Sequence, residues 1–154
     1  MILDMRDLEK FIYDMGVNVM TLSSEEKRKL LKPLKDRVLN HIRTNAVKYL
    51  RGEYFVEEVK KSVYLDEKHM KDLDPYYIIN FRGWLYKMRN GKPLGGKERA
   101  AAVAFLNEYG VPSKHAQRSP RPFIKEAIYK GTMESYTEIE DILAEIVAYK
   151  ITKK

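Results

Sequence analysis

Cysteine is absent from all 154 residues. That excludes a disulfide scaffold, a thiolate metal site and a cysteine nucleophile, and it makes a reducing compartment such as a bacterial cytoplasm the simplest place of synthesis. No apolar run approaches the ~20 residues that a membrane-spanning helix needs. The N-terminal MILDMRDLEKFIYDM carries acids early and lacks a signal-peptide pattern, so no membrane partner is expected. Internal repeats and low-complexity tracts are missing. So are the phosphate loop, the dinucleotide fingerprint, GxSxG and HExxH. The three histidines, His41, His69 and His115, fall on separate predicted elements without ligand spacing. Neither a catalytic residue, a metal site nor a cofactor is expected, and the chain reads as a non-enzyme.

What is present fits one soluble domain over residues 1–154. Its parts are a helical region over 1–52, a sheet and hairpin over 53–110, and a loop with C-terminal helices over 111–154. Eleven tyrosines and 44% hydrophobic content argue against global disorder. The 29 basic and 22 acidic residues give +7, a balance that permits contact with nucleic acid or an acidic protein surface without choosing between them.

Helical spacing of Met5, Leu8, Phe11, Ile12 and Met15 predicts a first helix from about Asp4 to Met15, stopped by Gly16. Ser23 and Glu26 have capping-box spacing, with Leu22 in the staple position. Leu30, Leu31, Leu34, Val38, Ile42, Ala46 and Leu50 then form an apolar stripe ending near Gly52. Pro33 interrupts it, and an interior proline costs ~3 kcal/mol, so a kink or two shorter helices are expected. Residues 53–65 fit a short helix or a strand equally. Asp74-Pro75 is a turn signal.

Tyr76 to Phe81 reads as a strand from its aromatic and β-branched content. Ala101 to Tyr109 reads as a second strand, although its alanines also suit a helix. Between them, Arg82 to Arg99 reads as a long β-hairpin with Asn90-Gly91 and Gly95-Gly96 as turn dipeptides. After Gly110, VPSKHAQRS has no period and reads as loop. Ser119 is placed to cap a short helix carrying Phe123, Ile124, Ala127 and Ile128, with Pro120 or Pro122 in its first turn. Ser135 and Glu138 again have capping-box spacing ahead of Ile139, Ile142, Leu143, Ile146 and Val147. The expected fold is α+β: a small antiparallel sheet with a long β-hairpin, packed by an N-terminal long helix and a C-terminal helix.

Two features invite a functional reading. The tetrad Asn107, Glu108, Tyr109 and Gly110 offers Glu108 as a general base, but a base needs a partner group and a shaped pocket. The structural reading, a strand end with Gly110 in a turn conformation, is the stronger. Cations also gather in two places. Lys27, Arg28, Lys29, Lys32, Lys35, Arg37, Arg43, Lys48 and Arg51 load the second helix, where a solvated face without partners accounts for them. Arg82, Lys87, Arg89, Lys92, Lys97 and Arg99 load the hairpin beside Trp84 and Tyr86. Cations interleaved with aromatics stack bases and neutralise phosphates. An exposed tryptophan in a loop calls for a contact, which a protein partner and DNA supply equally well.

The stretch Ala100 to Ile128 resembles a signature of the neck and tail-completion proteins of long-tailed bacteriophages. Phe105, Asn107, Glu108, Tyr109 and Gly110 match its alanine-rich strand and aromatic-glycine turn, and Arg121, Pro122, Phe123, Ile124 and Ala127 match its helix-opening segment. Upstream, Lys60-Lys61-Ser62-Val63 and Ile78 to Gly83 match more loosely. The family's upstream Gly-x-Leu-x-x-Ser-Ile element would need a glycine nearer to Ser62 than Gly52, and Pro120 stands where its Ala-Arg-Pro-Phe segment has alanine.

The resemblance implies a structural virion protein at the head–tail junction, assembled in the host bacterial cytoplasm. It implies a homo-oligomeric ring, six-fold in related proteins, around the DNA channel. Its neighbours there would be other neck and tail proteins: a connector or head-closure protein and a tail-tube protein. Within that frame, Phe123 is expected as a buried anchor, and Arg121 as a partner for Glu108 or for a neighbouring subunit's acid. The hairpin cations with Trp84 are expected to reach a partner or to touch DNA non-specifically. The alternative function is a stand-alone basic nucleic-acid-binding module.

Overall fold

The structure, a computed structural model, describes residues 1–49, 60–89, 92–110 and 122–152, with backbone alone for 46–49, 85–89, 92–98, 106 and 107. It is a mixed fold of helices and small antiparallel sheets, consistent with the α+β class. In chain order the elements are β1 (Ile2–Leu3), α1 (Arg6–Asp14), α2 (Ser24–Tyr49), β2 (Val63–Asp66), β3 (Tyr77–Phe81), β4 (Trp84–Arg89), β5 (Lys92–Arg99), α3 (Ala100–Tyr109), α4 (Phe123–Glu134) and α5 (Tyr136–Thr152). Short 3₁₀ turns occupy Val19–Thr21 and Lys68–Lys71. Residues 60–62 are helical and run straight into β2, which settles the end of the ambiguous stretch 53–65; residues 53–59 lie outside the described residues.

Contacts divide the chain into two compact units. One comprises Met1–Val38, Leu65–Ile78 and Ile128–Lys154; the other comprises Leu39–Tyr64 and Ile79–Ala127. The expected sequence boundaries at 52 and 110 both fall inside the second unit. Among the described residues no helix is long and apolar enough to cross a membrane.

The expected start of α2 is present in full. The Ser23 backbone N–H donates to Glu26 Oε1 at 2.9 Å, and the Glu26 N–H donates to Ser23 Oγ at 3.2 Å. Pro33 does not divide the helix, which is one element across it. The physical reason is burial. Leu30, Leu31, Leu34, Val38 and Ile42 are fully buried, and at ~1.5–3 kcal/mol each they far outweigh a proline cost of ~3 kcal/mol. In α1, Leu8 and Ile12 are buried, and the chain leaves through Gly16 at φ +84°.

β3 is central in the three-stranded sheet, in the order β1-β3-β2, with Ile2 opposite Ile78 and Leu3 opposite Tyr77. Its alternation is regular: Tyr77, Ile79 and Phe81 are buried, while Ile78 and Asn80 are half-buried. Burial pushes the Tyr77 hydroxyl up to about 12, with Glu67 and Asp36 adding to the shift.

Several expectations are corrected. Ala101 to Tyr109 is helix, not strand. Alanine, the best helix former, supplies four of the first five residues of α3. The buried positions Ala100, Val103, Ala104 and Glu108 follow a 3.6-residue period rather than alternating. Gly95-Gly96 is no turn but lies within β5. Tyr86 pairs with Lys97 and Met88 with Pro93, so three residues of β5 face one of β4, and both glycines sit in that bulge. Asn90-Gly91 and the loop from Val111 to Ser119 lie outside the described residues.

Ser135 and Glu138 do not form a capping box. The buried Ser135 hydroxyl donates to the Gly131 carbonyl at 2.8 Å and accepts from Arg37 Nη1 at 2.9 Å, while Arg37 Nη2 pairs with Glu138. Ser135 alone separates α4 from α5. The backbone N–H of Ser135 still bonds back to Gly131, so the chain turns without a free helix end to cap.

The cations of α2 are also more occupied than a solvated face requires. Lys27 pairs with Asp74 at 2.9 Å, Lys35 with Glu67 and Arg37 with Glu138. Arg28 donates to the Met70 carbonyl and Arg43 to the Lys60 carbonyl.

Candidate functional site

The tetrad ending α3 builds a joint between two helices. Gly110, at φ +77°, terminates α3 in a conformation that an L side chain rarely adopts. One residue inside that end, Glu108 is 4% exposed. Its Oε2 accepts the backbone N–H of Ile124 at 2.8 Å, and its Oε1 accepts that of Lys125 at 2.9 Å. These are orphan donors of the first turn of α4. Pro122, immediately before α4, has no side-chain acceptor to offer them, and its carbonyl takes the Glu126 N–H at 3.1 Å. Glu108 therefore performs from another helix the task that a local serine or aspartate usually performs.

Burial raises the Glu108 carboxyl above its ordinary value, and Glu126 adds to the rise. The two N–H donors and Lys125 act against it without cancelling it. A carboxylate held by both oxygens at a helix end acts as a cap, and the end that carries it is that of a helix rather than the expected strand. Arg121, its expected partner, lies outside the described residues.

Phe123 is fully buried as expected, 6.4 Å from the Phe81 ring in a tilted contact. Ile124 and Ala127 are buried beside it. The Phe123 carbonyl accepts Asn45 Nδ2 at 2.9 Å from α2. Asn45 escaped the sequence reading, though a polar residue within the apolar stripe of Ile42 and Ala46 was its signal. Of the remaining matched positions, Phe105 and Tyr109 are 43% and 63% exposed and stack at 6.0 Å between centroids. For Asn107 only the backbone is described.

Of the predicted basic set, Lys87, Arg89, Lys92, Lys97 and Arg99 fall on the antiparallel β4–β5 ladder. Trp84 is the first residue of β4 rather than part of a loop. It is 44% exposed and lies opposite Arg99, whose guanidinium is 5.4 Å from the ring centroid. Arg82, just before the ladder, places its guanidinium 4.2 Å over Tyr64. Tyr64 in turn accepts Asn80 Nδ2 at 3.3 Å. By register Lys97 is opposite Tyr86, and Arg89 is opposite Lys92, while Lys87 lies in the interior of β4.

Charge is divided unequally between the two units. The unit holding the ladder has fifteen basic and six acidic residues, +9; the other has fourteen basic and sixteen acidic, −2. Among the described residues, no group of three or more His, Asp or Glu is placed to hold a metal ion. His69 instead meets Asp72 at 2.9 Å and stacks on Tyr76. His115 lies outside the described residues. No family model, curated protein or solved structure matches this chain.

Proposed function

We propose that this chain is a non-enzymatic structural subunit of a tailed bacteriophage particle, a neck or tail-completion protein that forms a ring at the head–tail junction. The observation that carries the reading is the use of the resembling motif. Gly110 ends one helix, Glu108 caps the next, and Phe123 plugs the core beneath it. Residues so placed fix the junction between two helices, and they coincide with the positions that carry the resemblance.

In this reading the β4–β5 ladder is the long hairpin of the fold. Its cations Arg82, Lys87, Arg89, Lys92, Lys97 and Arg99 meet a neighbouring subunit, a head-closure or tail-tube protein, or phosphates of DNA in the channel without reading sequence. The ring is six-fold, as rings of related junction proteins often are.

The test is genetic and structural. In a phage carrying this gene, Phe123→Ala or Gly110→Val is expected to abolish infectious particles, leaving heads and tails unjoined by electron microscopy. Normally joined particles would count decisively against the proposal. A second reading, a stand-alone nucleic-acid-binding module, draws on the +9 unit and the Trp84–Arg99 pair. It requires the isolated monomer to bind DNA with an affinity that falls linearly on a log–log salt plot. A flat salt response removes it.

A further inference from the structure

We infer that the exposed stripe of α3 and an acidic-rimmed groove between the C-terminal end of α1 and α5 are the two halves of a head-to-tail contact between copies of this chain. The inference rests on the ring reading and names the surfaces by which one copy would hold the next.

The groove has a volume of about 610 Å³, with Val17, Leu143, Val147 and Ile151 among its apolar lining and Asp14 and Glu140 as its acids. Val147 and Ile151 are exposed although they are large and apolar. Glu26, Glu67 and Glu138 each hold a cation. Asp14 and Glu140 face none among the described residues. An occupant must therefore bring apolar surface together with positive charge.

This chain carries such a surface on its other unit. Ala102, Phe105 and Tyr109 are exposed on α3 at i, i+3 and i+7, one helical face. The only charged side chain of α3 is Glu108, which is buried under its two N–H donors. The stripe is thus apolar along its length. The exposed Arg99 stands at its N-terminal end, in the unit of charge +9. An amphipathic helix laid into an apolar groove is an established mode of recognition.

Charge also decides the polarity of the contact. Groove against groove would bring Asp14 and Glu140 of two copies together, and stripe against stripe would bring together two units of +9. Both place like charges face to face. Only stripe against groove joins opposite signs, which makes the interface heterologous and leaves each copy one free surface for the next. DNA would satisfy the basic unit but not an acidic groove, so a second copy is the occupant that accounts for both.

The test uses the full chain in sedimentation velocity over a range of concentrations. The wild type is expected to grow beyond a dimer in about 50 mM salt and to loosen in about 500 mM, where charges are screened. Phe105→Ala/Tyr109→Ala removes the stripe, and Glu140→Lys/Ile151→Lys spoils the groove. All four positions are exposed, so circular dichroism should match the wild type. Each variant alone is expected to associate at least about tenfold more weakly. An equimolar mixture should regain one contact, between the intact groove of the first variant and the intact stripe of the second, and stop at two copies.

Variants that assemble like the wild type overturn the surfaces named here and leave the ring reading standing. A wild type that stops at a dimer, or a mixture that stays monomeric, overturns the head-to-tail contact. A wild type monomeric at every concentration overturns both, and salt-steep binding of duplex DNA would then assign the basic unit to nucleic acid.

Discussion

Replacing Glu108 by alanine strands the backbone N–H groups of Ile124 and Lys125 at a buried helix end. The expected loss is about 2–3 kcal/mol, read from urea denaturation. Glutamine keeps one acceptor and removes the charge, so it isolates the effect of pH. Because burial holds the Glu108 carboxyl above its ordinary value of 4.5, the native state keeps that proton longer than the unfolded chain does. The stability it contributes is full below about 4.5 and is lost as pH rises through the raised value. Wild type minus Glu108→Gln should therefore decline as pH rises through that window.

Glu26 has the opposite sign. Burial pushes its carboxyl up, but the Ser23 N–H and Lys150 outweigh burial and leave it lowered, so its contribution is lost as pH falls through the lowered value. Gly131 is a different single-residue constraint. An added Cβ would lie 2.7 Å from Val38 Cγ2 and 3.1 Å from the Val38 nitrogen. Backbone does not yield, so Gly131→Ala should cost about 1–2 kcal/mol despite alanine's better helix propensity. The Ser23–Glu26 box was legible in the sequence because both partners lie within one turn. The Glu108 cap was not, because its donors are sixteen and seventeen residues away.

Among the elements, α2 sets propensity against burial most openly. Its apolar stripe was readable from spacing alone, but the survival of one helix across Pro33 was not, since burial is a tertiary quantity. Pro33→Ala should restore a backbone hydrogen bond and raise stability by about 1–3 kcal/mol in the same denaturation experiment. A destabilised variant would mean that the proline ring itself packs against the core. α3 shows the converse. Its flanks and the family resemblance favoured a strand, whereas its run of alanines carried the true preference. Ser135 and Glu138 had the letters of a capping box, yet Arg37, nearly a hundred positions earlier, binds both.

For the molecule as a whole, the net charge of +7 conceals a division into units of +9 and −2. Field strength depends on where charges gather rather than on their sum. Replacing Arg82 and Arg99 by glutamine should therefore shorten retention on a cation exchanger more than replacing Lys35 and Arg37, which already face Glu67 and Glu138. Equal shortening would mean that the two units present the same field. The clustering of cations between Arg82 and Arg99 is visible along the chain, but the near-neutral balance of the rest is not, because each unit is gathered from distant stretches of chain.

By itself the sequence determined the mixed helix and sheet class, the end of α1 at Gly16, the start of α2 at Ser23 and a strand within Tyr76 to Phe81. All of these follow from side-chain periodicity and from bonds made within a turn or two. Only the tertiary structure decided that residues 100–109 are helical, that Glu108 caps α4, that Pro33 is tolerated and that positive charge gathers in one unit. Those outcomes depend on partners far apart in the chain, whose meeting no local pattern encodes.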